Sequence, residues 1–97
     1  METWLKCEVA PGQFTGEYAA IGHQFDGKQF SLFVPEEYVD FDELPAEGGR
    51  VPARLLVEVW QQGELIVIRL PRQTLENGQF VTVRADQLER KPQRQHA

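Results

Sequence analysis

Residues 51–70 read VPARLLVEVWQQGELIVIRL, and this stretch decides the fold class. Valine, isoleucine, leucine and tryptophan dominate both arms, and a short polar break, Gln61-Gln62-Gly63-Glu64, separates them. Two such runs around a glycine-containing turn read as a β-hairpin. With Gln62-Gly63 as the turn, Trp60 faces Leu65, Val59 faces Ile66, Val57 faces Ile68 and Leu55 faces Leu70. Glycine suits the second position of a type I′ turn, but glutamine is poor at the first, so a shifted or bulged turn stays open. One face then holds Leu55, Val57, Val59, Ile66, Ile68 and Leu70. The other holds Leu56, Glu58, Trp60, Leu65, Val67 and Arg69. A sheet with one wet face alternates apolar and polar residues, and this hairpin is largely apolar on both. The pattern predicts cover on each side, from a barrel wall, the chain's own loops or a second molecule.

Upstream, Tyr18 to Val34 reads as another hairpin. Asp26-Gly27 is the expected type I′ pair, because both residues tolerate positive φ. A two-residue turn there puts Phe25 against Lys28, His23 against Phe30, Ile21 against Leu32 and Ala19 against Val34. The expected core face is therefore Ala19, Ile21, His23, Phe25, Phe30, Leu32 and Val34. Thr3 to Val9 is a period-2 strand with Leu5, Cys7 and Val9 inward, closed by Pro11-Gly12. Downstream, Asn77-Gly78 predicts a third tight turn with Leu75 opposite Phe80, then a last strand over Gln79 to Arg84. Ala85 to Arg90 reads as a helical turn seating Leu88.

Between the first two hairpins, 36–49 is an acidic loop containing Pro45, Gly48 and Gly49, with one helical turn expected at Pro35 to Tyr38. Its Tyr38, Val39, Phe41 and Leu44 predict that it packs onto the body, since a free linker would lack them.

Three hairpins at similar spacing with almost no helix imply an all-β fold: a five- to six-stranded antiparallel barrel or rolled sheet. The stretch Val81-Thr82-Val83-Arg84-Ala85-Asp86-Gln87-Leu88 resembles the last elements of SH3-like barrels, which favours a barrel. The binding-site aromatics of peptide-binding SH3 domains have no matches here, so the resemblance implies no function. Residues 1–90 are expected to form one domain and 91–97 a disordered tail.

The apolar fraction is 41%, above the disordered range. Cys7 is the only cysteine, so no intrachain disulfide can form. The N-terminus shows no signal-peptide pattern. The longest apolar run, Leu65 to Ile68, is far too short to span a bilayer. Together these point to a soluble cytoplasmic protein. Residues 1–49 hold ten acids and two bases, whereas residues 50–97 hold five acids and eight bases. Such polarity disfavours nonspecific nucleic-acid binding by the whole domain. It permits head-to-tail contacts or a basic-surfaced partner, unless the fold interleaves the halves, which is the plain expectation for a small barrel.

Catalytic parts are scarce. His23 is the one histidine in an expected element, and a core-face histidine beside an aromatic is ordinarily a packed residue. His96 lies in the tail. Ser31, the only serine, has no nucleophile elbow around it, and Cys7 reads as a buried, inert thiol. Asp40-Phe41-Asp42 lacks the glycine and glutamate of a calcium loop, and Gly48-Gly49-Arg50 is not a phosphate loop. No catalytic residue, metal ligand or cofactor is expected. The sequence reads as a noncatalytic module that contacts another protein, or itself, through Leu56, Trp60, Leu65 and Val67. The alternative is a small barrel that binds single-stranded nucleic acid through Arg54, Trp60 and Arg69, with Phe80 a further stacking aromatic. A small enzyme or ligand-binding protein ranks third.

Overall fold

Two long strands organise the molecule because each is long enough to serve two neighbours on one of its sides. They are β1, Glu2–Pro11, and β5, Val51–Gln61. They pair antiparallel with each other from Thr3↔Val57 to Val9↔Val51. The free side of β1 takes β2 (Glu17–His23) along its C-terminal half and β8 (Leu88–Lys91) along its N-terminal half. The free side of β5 takes the short β4 (Val39–Asp40) and then β6 (Leu65–Arg69). With β3 (Gln29–Pro35) and β7 (Phe80–Arg84) at the margins, the order is β3-β2-β1-β5-β6-β7. The computed structural model describes residues 1–76 and 78–91. The protein is all-β, an eight-stranded antiparallel sheet curled into a half-barrel, and among the described residues the only helical pieces are 3-10 turns at Glu36–Tyr38 and Ala85–Gln87.

The concave side carries the core. Leu5, Leu32, Leu55, Ile68, Leu70, Val9, Val34 and Val83 are all below 2% exposed, and Tyr18, Tyr38, Phe41, Val59 and Leu88 pack around them. The expected inward face of 51–70 is the observed one, and the helical turn before Val39 is a 3-10 turn. The helical turn expected after Arg84 is the 3-10 turn Ala85–Gln87, and Leu88, its C-cap and the first residue of β8, seats against the core as expected.

Three expectations about turns are corrected. The 18–34 hairpin is not closed at Asp26-Gly27. Gln24 N–H donates to Lys28 O, Gly27 N–H to Gln24 O, and the Asp26 carboxylate takes Lys28 N–H. This longer loop moves the register by one, to Gly22↔Phe30, Ala20↔Leu32 and Tyr18↔Val34. A one-residue slip reverses the face of one strand. Phe30, Leu32 and Val34 stay inward, but Ala20 replaces Ala19 and Ile21 in the core cluster. Ile21 is buried outside that cluster, and His23 and Phe25 are exposed. The second hairpin slips by two and bulges: Val59 pairs with Ile68 and Gln61 with Val67. Gly63 is not among the positive-φ glycines (Gly16, Gly27 and Gly48), so the type I′ turn that Gln62 disfavours is not formed. An even slip preserves the faces, which is why the core expectation survives it.

The third turn fails differently. β6 pairs with β7 from Leu65↔Arg84 to Arg69↔Phe80, and Leu70 N–H bonds Gln79 O. Leu75 therefore does not face Phe80. It donates its N–H to Ser31 O of β3 instead. Asn77 lies outside the described residues. So does the expected tail beyond Lys91, while Lys91 itself pairs with Glu2.

No helix is long and apolar enough to cross a membrane, among the described residues.

Candidate interaction face

The convex face of β5-β6-β7 carries two of the exposed aromatics, Trp60 and Phe80, while Phe14 and Phe25 are exposed in the β1–β2 and β2–β3 loops. Strand alternation sends Leu65, Val67 and Arg69 of β6 outward, together with Phe80, Thr82 and Arg84 of β7. The bulge at the end of β5 re-aims Trp60. Its ring meets Phe80 edge-on, with centroids 5.2 Å apart and planes at 68°. Both rings stay wet, Trp60 at 63% exposure and Phe80 at 49%, and Leu65 beside them is 40% exposed. Val67 is half-buried between them.

The rim is charged. Arg69 pairs loosely with Glu58 at 3.9 Å, Arg84 binds the Asp86 carboxylate at 3.0 Å and the Phe25 carbonyl at 2.8 Å, and Glu64 is exposed in the turn. An edge-to-face aromatic pair is worth about 0.5–1.5 kcal/mol beyond its burial, which holds the rings in place without covering them. Rings of this size bury 150–250 Å² when enclosed. About half of that remains open on each, so covering both would contribute on the order of 5 kcal/mol. Association itself costs about 4–15 kcal/mol. The two rings alone therefore support only a weak contact, and the flanking Leu65, Val67 and charges must add to it.

Leu56 does not join this face. It lies directly across from Trp4 where β1 and β5 pair, and it is half-buried there, with Trp4 only 2% exposed. The hairpin is thus covered on both faces along its first half and bare on the outer face along its second. Phe80 takes the place expected for Leu56. The signal for it was an aromatic in an alternating strand, obscured by the misplaced third turn.

The alternative set, Arg54, Trp60 and Arg69, is also divided. Arg54 Nε and Nη2 both reach Asp40 Oδ2, at 3.1 and 3.0 Å, with Asp42 at 3.8 Å and Glu89 at 4.0 Å. Its side chain is 22% exposed. Arg54 pins the acidic loop to the sheet, well down the strand from Trp60. Arg69 flanks the aromatic pair.

The remaining chemistry-bearing residues sit apart. The Ser31 hydroxyl and N–H both bond the Glu76 carboxylate, at 3.4 and 3.0 Å, with no histidine joined to them in any described contact. The exposed His23 offers its carbonyl to Gln87. Cys7 packs against the core, and burial first, then the neighbouring Glu8, push its thiol up to about 12, with Arg54 opposing. Among the described residues, no three or more of His, Cys, Asp and Glu gather to hold a metal ion. A cleft of about 610 Å³ opens between the N-terminus, Tyr38 and β5, with Val57 and Leu70 at its base and the Glu58–Arg69 pair on its rim.

No protein-family model, curated protein or solved structure matches this chain. A functional reading therefore rests on the geometry alone.

Proposed function

We propose that this domain is a noncatalytic protein-interaction module, acting in a reducing compartment such as the cytoplasm, with Trp60, Leu65, Val67 and Phe80 as its contact surface. The observation that carries the reading is the Trp60–Phe80 pair: two rings fixed against each other at 5.2 Å yet mostly or half exposed. Aromatics that are rigid before binding lose little conformational entropy on contact, which is why they serve as interface anchors. A single cysteine, which can form no intrachain disulfide, suits a reducing surrounding. The single-strand reading draws no comparable support, because Arg54 is already engaged by carboxylates.

In-cell photocrosslinking tests the proposal. A photoreactive residue at Thr82, half-buried in the same face, is expected to give a discrete crosslinked protein product. Trp60→Ala combined with Phe80→Ala should abolish it while far-UV circular dichroism and cooperative thermal unfolding are retained. A product that survives the double substitution, or the absence of any product, would overturn the assignment of this face.

A further inference from the structure

β5 outruns its neighbour β1. Their pairing ends at Thr3↔Val57, while β5 continues to Gln61. The cleft of about 610 Å³ opens where that pairing stops, and its volume lies within the range of about 300–1,000 Å³ typical of binding clefts. Its base is apolar, with Leu70 1% and Val57 5% exposed, and Val59, Pro71 and Tyr38 line its sides. The cleft adjoins the aromatic face. Glu58 and Arg69 line it, Arg69 stands across from Phe80 where β6 pairs with β7, and Glu58 lies two residues before Trp60 in β5. The Glu58–Arg69 pair is therefore a wall that the cleft and the ring pair share.

That wall is loosely made. Arg69 and Glu58 approach only to 3.9 Å, too far for a hydrogen bond. A peptide group brings one acceptor and one donor, and it matches a guanidinium beside a carboxylate. The two rings alone support only a weak contact, whereas burying a bulky apolar side chain in the adjoining cleft strengthens it roughly ten- to a hundredfold. Anchors seated in a pocket carry most of the energy of protein interfaces. The chain's own exposed apolar residues do not suit the cleft. Phe14 and Phe25 lie in tight turns, and Leu75 has its N–H tied to Ser31 O. Leu44 is 74% exposed, contrary to the expectation that it packs down, but it follows Asp42 and Glu43, which Glu2 and Glu58 at the cleft would repel.

We infer that the cleft takes a bulky apolar side chain from an extended segment of a different protein, the same segment that crosses Trp60 and Phe80. This rests on the reading of that face as a protein contact. Over the shared wall, a carbonyl of the segment accepts from the Arg69 guanidinium and an N–H of the segment donates to the Glu58 carboxylate. Cleft and ring pair are then two halves of one surface, the cleft holding the anchor and the rings covering the chain beside it.

A minimal anchor provides the test. N-acetyl-phenylalanine amide carries one apolar side chain between two peptide groups, and N-acetyl-glycine amide is its control. In heteronuclear NMR of the isotope-labelled wild type, the phenylalanine compound at millimolar concentration is expected to shift the amides of Val57, Glu58 and Leu70 saturably. The glycine compound should leave them in place. Thr3→Phe, at a half-buried strand position on the cleft, fills the space. It should weaken the probe and the crosslinking yield at Thr82 by roughly tenfold or more, with far-UV circular dichroism and cooperative unfolding retained. The wild-type titration needs no variant: absent shifts, or equal shifts with the glycine compound, overturn the inference. So does a crosslinked product undiminished in folded Thr3→Phe, and the aromatic face then keeps its reading as long as the Trp60 and Phe80 substitutions abolish that product. A wild type that sediments as a dimer, and that Thr3→Phe dissociates, would put a second copy in the cleft and overturn it as well.

Discussion

Gly22 shows how one residue sets a register. It stands across from Phe30, and a Cβ added to it would come within 2.7 Å of the Phe30 ring. The ring occupies the space that glycine leaves open, which fixes β2 against β3 one step away from the register the Asp26-Gly27 pair suggests. A glycine inside a strand signals such a close approach, and it outweighed the turn signal here. Gly22→Ala is expected to cost about 1–3 kcal/mol, the usual range for overpacking, read as a lower urea midpoint with unchanged m-value. An unchanged midpoint would mean that the ring moves aside freely. At Val57, 5% exposed, Val57→Ala should cost on the order of 1–3 kcal/mol through lost burial and a cavity. An unchanged melting temperature would remove it from the core. Cys7 adds a pH dependence of definite sign. Its folded thiol titrates at about 12 against an ordinary 9.0, so the neutral form is favoured in the fold. That contribution is complete below about pH 9 and is lost progressively as pH rises toward 12, because the unfolded chain releases the proton first. Cys7→Ala, compared with wild type across this range, should lose less stability on going alkaline. Parallel curves would show that the thiol is not linked to folding.

At the scale of elements, strands were legible in the sequence and their connections were not. Alternation marks an inward face whether or not the pairing partner is known, so Leu55, Val57, Ile66 and Ile68 were identified correctly although the β5–β6 register slipped by two. The bare Trp60 was legible for the same reason. Phe80 was legible as a candidate stacking aromatic, but not as the edge-on companion of Trp60, since that needed the true β6–β7 connection. This connection spans Leu70–Gln79 and is shaped by a contact distant in sequence. Leu75 N–H bonds Ser31 O, and the Glu76 carboxylate takes the Ser31 N–H that a further strand would otherwise take. The loop thus caps the outer edge of β3, and capping an edge suppresses pairing between molecules. Glu76→Ala should leave the core intact but bare the Ser31 N–H. The expected outcome is faster growth of light scattering on warming, with little change in near-UV circular dichroism at room temperature. Scattering no faster than wild type would assign edge protection elsewhere.

For the molecule as a whole, the unequal way the half-barrel is held together governs how it opens. β1 and β5 are paired along seven positions and flanked on their other sides by β2, β8, β4 and β6. Opening them removes both walls of the core at once. The margins, β3 and β7, have no ladder between them. They are bridged by isolated bonds: Phe25 N–H to Thr82 O, Leu75 N–H to Ser31 O, Arg84 to the Phe25 carbonyl and Glu76 to Ser31. Each such bond contributes only about 0.5–1.5 kcal/mol net, and the residues making them are largely exposed, so little apolar area need be uncovered to break them. The seam should therefore open without global unfolding, in the manner of a low-stability unit. Native-state hydrogen exchange reads this directly. The amides of Phe25 and Leu75 are expected to exchange through local openings whose free energy changes little with added denaturant. The ladder amides between β1 and β5 should exchange only through global unfolding, with the full denaturant dependence. If the seam amides proved as protected and as denaturant-sensitive as the β1–β5 ladder, the sheet would be behaving as a closed barrel. The convex aromatic face would then be held by one continuous wall rather than by a margin free to move.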